Sequence, residues 1–215
     1  AFLNCTSLEN IVLPPSLSRI DEYVFTNCAS LDGINIPEGV TRIEYGAFWG
    51  CGGIDSVTIP DTVTYIGFEA FAGSGLKSVY IPASVEKIED DAFDDCYSLE
   101  KITASPENRN YANDGSGALF TKDMRTLIML PDGTKITEYT IPDGVYTVCP
   151  GAIYSRVEVV NVPASVDECT DAFRGNRLTA VNVDPANKNY VSDEYGVLYN
   201  KEMTELICYP KGNPR

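Results

Sequence analysis

The side chains in this sequence that could carry chemistry are its cysteines and carboxylates, because histidine is absent. Without histidine there is no Ser-His-Asp or Cys-His set and none of the usual catalytic zinc sites. The carboxylates of Glu89, Asp90, Asp91, Asp94 and Asp95 cluster, but the spaced acidic loop and turn glycine typical of a calcium site are missing. We therefore interpret them as a solvated face. The sequence predicts no enzyme activity, no catalytic residues, no cofactor and no metal site.

The chain has seven cysteines, and four of them share one position, three residues after a phenylalanine. These four are Cys5, Cys28, Cys51 and Cys96, with Ser74 at the equivalent position between the last two. A free cysteine behaves as a small buried hydrophobe. We expect a ladder of reduced, buried thiols, although neighbouring positions would be close enough for one disulfide.

The formal net charge is −15, and the sequence pI is about 4.3. Such a surface repels phosphate backbones and anionic lipid, which argues against nucleic acid and membrane-surface partners. No apolar run approaches the roughly 20 residues that a bilayer span requires, so no membrane insertion by this segment is expected. Several carboxylates, Glu69, Asp91 and Asp171 among them, precede an Ala-Phe pair. If that pair begins a helical turn, they would lie at its favourable N-terminus.

A repeat of 22 or 23 residues organises the chain, and its phenylalanines mark it: Phe2, Phe25, Phe48, Phe71 and Phe93. Each unit reads approximately C-x-x-L-x-x-I-x-I-P-x-x-V-x-x-I-x-x-x-A-F. Apolar residues two apart, such as Ile34 and Ile36, point to one side of a short strand, and the following proline ends that strand. One coil cannot bury these side chains alone, so stacked coils with parallel strands are predicted. The strands are expected near 11–13, 34–36, 57–59, 79–81, 102–104, 160–162 and 181–183.

A longer unit interrupts this period twice, at 105–133 and, 79 residues later, at 184–212. Both copies contain N-x-N-Y and then two apolar runs, which predict a β-hairpin inserted in an enlarged coil. In the first copy the two strands are expected at 118–121 and 126–130. Short repeats fill 1–104 and 134–183, so residues 1–215 are predicted to form a single solenoid domain. Because Ala1-Phe2 already closes a coil, we expect a fragment of a longer exported protein.

Together the short unit and the N-x-N-Y…G-x-L-F insertion resemble the BspA-like leucine-rich repeats over essentially the whole chain. The resemblance implies a β-rich solenoid: a leucine-rich repeat right-handed superhelix with a parallel β-sheet, short turns or helical turns, and two inserted β-hairpin units. It also implies a bacterial cell-surface or secreted protein, with an extracellular role in adhesion or recognition. The family has no catalytic residues to carry over.

The outward face of the predicted parallel sheet is the candidate binding surface. Its residues are Asn35, Thr58, Ser78, Tyr80, Lys101, Thr103, Asn161 and Asn182. We expect it to bind a host protein or a glycan, although an outward face must be polar in any case. The alternative function is a structural spacer that presents other domains at the cell surface. A monomer is expected, with end-to-end contacts between copies allowed at the uncapped ends.

Overall fold

The structure, a computed structural model, describes residues 1–175 and 177–214, and these residues form strands and turns without any helix. They fall into two compact units, Ala1–Ala112 and Asn113–Arg215. Each unit contains stacked coils joined by parallel strands, which confirms the predicted β-solenoid. In the part of the chain that the structure describes, no helix has the length and apolarity needed to cross a bilayer.

The first unit builds its coils on two sets of short parallel strands. They are β1 (Arg19–Ile20), β2 (Ile34–Asn35), β3 (Arg42–Ile43), β4 (Val57–Thr58), β5 (Tyr65–Ile66), β6 (Ser78–Ile81), β7 (Lys87–Ile88) and β8 (Lys101–Ala104), and β9 (Tyr111–Asn113) follows at the end of the unit. Strands β2 with β4 and β6 with β8 form two parallel pairs where one continuous sheet was predicted. The order β1-β3-β5-β7 forms a further parallel sheet, whose strands were not among those predicted.

The second unit contains the remaining strands. They are β10 (Leu119–Thr121), β11 (Thr126–Met129), β12 (Glu138–Thr140), β13 (Thr147–Val148), β14 (Val159–Val162), β15 (Ala180–Val183), β16 (Tyr190–Ser192), β17 (Leu198–Asn200) and β18 (Leu206–Cys208). Strands β12, β14 and β15 are parallel and in register. The antiparallel pairs β10–β11 and β17–β18 confirm both inserted hairpins. The second insertion also contains β16, antiparallel to β17, which the sequence did not predict.

One predicted strand, 11–13, is wrong. Residues Ile11 to Leu13 form no ladder, and Val12 is 94% exposed. Pro14 and Pro15 follow directly. Because neither has a backbone N–H group, they cannot donate hydrogen bonds to a neighbouring strand. The other predicted strands are present, with ends that differ by one residue or two.

Equivalent side chains of successive coils stack to form the core. Phe2, Phe25, Phe48, Phe71 and Phe93 form one column, with neighbouring ring centroids 5.2 to 5.5 Å apart and rings within 12° of parallel. Inward isoleucines, leucines and valines of both sheets line the rest of the interior and are almost fully buried. The apolar positions of the repeat therefore predicted the core correctly.

The Ala-Phe turns are not helical, which corrects the predicted role of the carboxylates beside them. Glu69, Asp91 and Asp171 have φ angles of 51°, 57° and 56°, in the left-handed region. Tyr23 and Gly46 occupy the same repeat position, with φ angles of 54° and 58°. Backbone groups of this turn pair with the next coil, as in the 2.8 Å bond from Phe48 N–H to Ala70 O. The turn is thus a third inter-coil ladder, and these carboxylates lie at corners instead of a helix N-terminus.

The N-x-N-Y motif of each insertion satisfies backbone groups of the preceding coil. The buried Asn108 amide donates to Pro82 O (2.7 Å) and Val85 O (3.0 Å), and its Oδ1 accepts from the N–H groups of Asn110 and Tyr111. The Tyr111 hydroxyl accepts from Ile88 N–H at 2.7 Å. Asn187 and Tyr190 repeat the arrangement in the second unit. The motif therefore has a structural role: its side chains cap backbone groups where the regular coil is interrupted.

The cysteine ladder lies inside the first unit, as predicted. The thiols of Cys28, Cys51 and Cys96 donate to the carbonyl oxygens of the phenylalanines 26 or 25 residues earlier, at 3.2, 3.0 and 3.2 Å. Burial raises the pKa of the Cys51 thiol to about 12, and that of Cys169, in the second unit, to about 12 as well. Cys5 shares the repeat position but is exposed, which corrects the burial predicted for it. All seven cysteines are free thiols in the structure.

Thiol labelling tests this arrangement. The thiolate is the reactive form, so a buried thiol whose pKa is about 12 should react with iodoacetamide at pH 8 only after local opening. We expect Cys5 to react in the native chain, and Cys51 and Cys169 to react slower by roughly two orders of magnitude or more. Mass spectrometry of peptides from the native and the urea-unfolded chain measures both rates. Equal native rates for Cys5 and Cys51 would contradict the buried ladder.

Candidate binding surface

In the first unit the structure brings six of the predicted site residues together on the outward face of the sheet. The register aligns Asn35 with Thr58 and Tyr80 with Thr103, and beside this row it aligns Ser78 with Lys101. Five of the six are exposed, Thr103 is half-buried, and the Tyr80 side chain is 50% exposed. We call these six residues the sheet face of the first unit.

None of these six side chains makes a hydrogen bond, ion pair or ring contact with the part of the chain that the structure describes. The Tyr80 ring and hydroxyl and the Lys101 ammonium group are therefore available to a partner. An aromatic ring with a hydroxyl at its tip suits an interface, since it combines apolar contact area with a hydrogen-bonding group.

The two predicted site residues of the second unit are arranged differently. Asn182 Nδ2 donates to Asn161 Oδ1 (3.1 Å), and Asn161 Nδ2 donates to Glu138 Oε1 (2.7 Å) and Thr140 Oγ1 (3.1 Å). The amides thus form a ladder across three coils. They line an open groove of about 310 Å³ whose rim includes Asp143 and Asp184. Much of their hydrogen-bonding capacity is used within the chain, so they are weaker candidates than the first unit's sheet face.

The second sheet of the first unit contains outward residues that the sequence analysis did not select. The register aligns Arg19, Arg42, Tyr65 and Lys87. Three of them form ion pairs with a carboxylate two residues later: Arg19–Asp21 at 2.9 Å, Arg42–Glu44 at 2.7 Å and Lys87–Glu89 at 2.6 Å. These cations are thus neutralised locally.

Four aromatic residues are candidates for contact with a partner, Tyr80, Tyr65, Trp49 and Tyr97, and they differ in their contacts and positions. Arg42 lies 3.8 Å from the ring centroid of Tyr65, whose hydroxyl donates to Glu89, so this tyrosine is engaged within the chain. Trp49 and Tyr97 are exposed, but they lie beside the phenylalanine turn. Tyr80 is the one aromatic residue among the candidates that lies on the sheet face and has no partner in the described chain.

A row of aromatic side chains near the turns was missed. The Tyr23 and Tyr45 ring centroids are 4.7 Å apart, and the Tyr45 and Phe68 centroids are 5.5 Å apart. Tyr45 and Phe68 share the repeat position three residues before the column phenylalanine, which is a signal that the sequence contains. These rings cover one another, and Tyr23 also covers Gly46, so packing between coils accounts for much of the row.

The acidic cluster at 89–95 has partners within the chain and corner positions in its turns. Glu89 pairs with Lys87 at 2.6 Å, and the Tyr97 hydroxyl donates to Asp95. Asp91 and Asp95 occupy left-handed corners. Within residues 1–175 and 177–214, no three carboxylate, cysteine or histidine side chains are grouped as metal ligands would be.

Comparison with known proteins places the chain among bacterial repeat proteins. The model of the BspA type leucine-rich repeat region matches residues 1–114 with six copies. A leucine-rich cell surface protein from Faecalibacterium prausnitzii A2-165 is 31% identical, with a TM-score of 0.74 over 84% of this chain and 48% of its own. A leucine-rich repeat protein from Bacteroides ovatus ATCC 8483 is 25% identical, with a TM-score of 0.58 over 85% of this chain and 57% of its own.

A third solved structure, a leucine-rich repeat protein from Eubacterium ventriosum ATCC 27560, is 23% identical, and its TM-score of 0.58 shows the shared fold. It covers 77% of this chain and 57% of its own. No curated protein is significantly similar to the chain. The chain spans about half the length of the Faecalibacterium protein. The family model covers more than half of the residues, and the stacked coils agree with it: the chain belongs to the BspA-type leucine-rich repeat family.

Proposed function

We propose that this chain is a non-enzymatic binding module, displayed on or secreted from a bacterial cell, that recognises a protein or a glycan. One observation carries the proposal: the sheet face of the first unit presents six side chains that make no hydrogen bond, ion pair or ring contact within the described chain. Tyr80 and Lys101 are the larger of them. Leucine-rich repeat solenoids commonly bind along such a sheet. The cell-surface description of the Faecalibacterium relative supports an extracellular location.

A structural spacer is the second candidate function. A spacer needs an outward face that is polar and otherwise featureless. The amide ladder of Asn161 and Asn182 fits that description, because its donors are paired within the chain. The half-exposed side chain of Tyr80 does not fit that description, since its ring leaves apolar area in solvent. The first unit therefore favours binding over spacing.

The Tyr80→Ala variant tests the proposal. Probed against immobilised extracellular-matrix proteins and a glycan array, the chain is expected to bind at least one component. For that component, Tyr80→Ala should weaken binding by roughly ten-fold or more, as loss of an aromatic anchor does. The melting temperature should stay nearly unchanged, because the Tyr80 side chain is half exposed and makes no hydrogen bond or ring contact within the described chain.

The Tyr97→Ala variant is the matched control, because Tyr97 is as exposed as Tyr80 but lies beside the turn. It should bind like the unchanged chain. If Tyr80→Ala also bound normally, the site would lie elsewhere, with the inserted hairpins at 118–130 and 197–209 the next surfaces to test. Binding to no component of either array would favour the spacer.

A further inference from the structure

Three successive coils of the second unit carry a cation at the same repeat position. Lys135, Arg156 and Arg177 are 21 residues apart, each six residues before the end of its strand region at Ile141, Val162 or Val183. All three are exposed. In the first unit the equivalent residues are small: Ser30, Gly53, Gly75 and Ser98. We call Lys135, Arg156 and Arg177 the cation ladder.

The strand register places these cations on adjacent rungs. Strands β12, β14 and β15 align Glu138 with Val159 and Val159 with Ala180. Two further backbone bonds, Glu158 N–H to Thr137 O and Thr179 N–H to Glu158 O, each of 2.7 Å, extend the alignment toward the ladder. Adjacent parallel strands lie about 4.8 Å apart, so the three cations follow the stacking axis at about that interval.

Like charges on adjacent rungs repel one another. On the second sheet of the first unit, a carboxylate two residues after each cation forms an ion pair of 2.6 to 2.9 Å. In the ladder the residues two positions later are Thr137, Glu158 and Thr179. Arg156 and Arg177 form no ion pair within residues 1–175 and 177–214, although Glu158 lies close in sequence to Arg156. The two arginines of the ladder therefore keep a local positive charge on a chain whose net charge is −15.

We propose that the cation ladder binds an acidic polysaccharide through carboxylate or sulfate groups. A regular array of cations is complementary in charge to a chain that bears anions at regular intervals. The arginine guanidinium groups can bind carboxylate or sulfate oxygens with two parallel hydrogen bonds. The exposed Thr137 hydroxyl beside the ladder can hydrogen-bond to sugar hydroxyls.

The surroundings of the ladder favour a polysaccharide over an acidic protein. Protein interfaces obtain most of their affinity from buried aromatic anchors and arginine in a desolvated centre. The outward rows of β12, β14 and β15 contain threonine, asparagine, glutamate, valine and alanine, and no aromatic residue points outward from these three strands. A polar face of this kind suits a hydrated ligand.

Binding of defined polymers to the 215-residue chain tests the proposal. At low salt the chain should bind polygalacturonate or dextran sulfate and should not bind neutral dextran, with affinity falling as salt rises. The two acidic polymers separate carboxylate from sulfate recognition. The double variant Arg156→Gln/Arg177→Gln should weaken binding at least ten-fold, whereas Glu158→Gln, which removes a nearby negative charge, should strengthen it.

A control variant removes two positive charges at positions outside the ladder. Lys188→Gln/Lys201→Gln lies outside the ladder and should bind like the unchanged chain; melting temperatures of all variants confirm folding. Equal loss in this control, unchanged binding by Arg156→Gln/Arg177→Gln, or poly-glutamate binding as tight as that of the polysaccharides would each overturn the proposal. Tyr80→Ala should leave polysaccharide binding unchanged, so this test and the test of the sheet face fail independently.

Discussion

Replacing Asn108 with alanine is expected to lower the free energy of unfolding by about 3 kcal/mol or more. The Asn108 side chain is buried and makes four hydrogen bonds to backbone groups: to the carbonyls of Pro82 and Val85, and from the N–H groups of Asn110 and Tyr111. Alanine removes the side chain that partners all four of these backbone groups. Each buried backbone group that is left without a partner costs about 1–3 kcal/mol of folding free energy. The sum over the four groups is reduced where the backbone relaxes or a water molecule enters the space.

Urea unfolding followed by circular dichroism measures this effect. The matched control is Asn110→Ala, since Asn110 belongs to the same motif but is exposed, and it should change stability by less than about 0.5 kcal/mol. Asn108→Asp separates the two halves of the network, because a carboxylate can still accept from the two N–H groups but cannot donate to the two carbonyls. It should also destabilise strongly. If Asn108→Ala matched Asn110→Ala, the capping role of the motif would be wrong.

The Phe48→Ala variant is expected to lose about 3–5 kcal/mol, as is usual when a buried phenylalanine is truncated. Phe48 is fully buried and stacks on Phe25 and Phe71, with centroids 5.4 and 5.2 Å away. Truncation would open a cavity in the middle of the column. A regular stack relaxes poorly into such a cavity, because the backbone ladders on both sides hold the coil spacing.

Phe68→Ala is the control for this prediction. Phe68 lies in the neighbouring coil, is 38% exposed and contacts the edge of Tyr45. It should cost clearly less, on the order of 1 kcal/mol. Chemical denaturation of the two variants in parallel gives the comparison. Equal losses would show that the column is no more important to the fold than the surface row.

Much of the fold could be predicted from the sequence, because burial in a solenoid repeats with the coil. Ile34, Ile36, Val40 and Phe48 are apolar at positions that recur in each unit, and that period requires stacked parallel coils. The two N-x-N-Y insertions, offset by 79 residues, predicted both hairpins. The burial of Cys28, Cys51 and Cys96 could be predicted because they share one position of the repeat. The turns could not be predicted in this way, since Glu69 and Asp91 suit a helix N-terminus as well as a left-handed corner, and only the backbone path distinguishes the two.

The binding surface was less predictable, because the partner of an outward side chain lies one coil away. The sequence placed Tyr80 and Asn161 alike on the outward face. The tertiary structure leaves Tyr80 without a partner and joins Asn161 to Glu138, Thr140 and Asn182. The sequence also contained Lys135, Arg156 and Arg177, but their significance depends on strand register and on carboxylates that do not pair with the two arginines.

The sequence by itself determined the repeat, the inward rows and the family, since each depends on residue type at a fixed spacing. Only the tertiary structure decided which polar side chains satisfy one another and which remain available to a ligand. The physical reason is that burial follows from local periodicity, whereas a hydrogen bond or ion pair requires two particular atoms within about 3–4 Å. In the Asn161 network those atoms come from residues more than 20 positions apart in the chain.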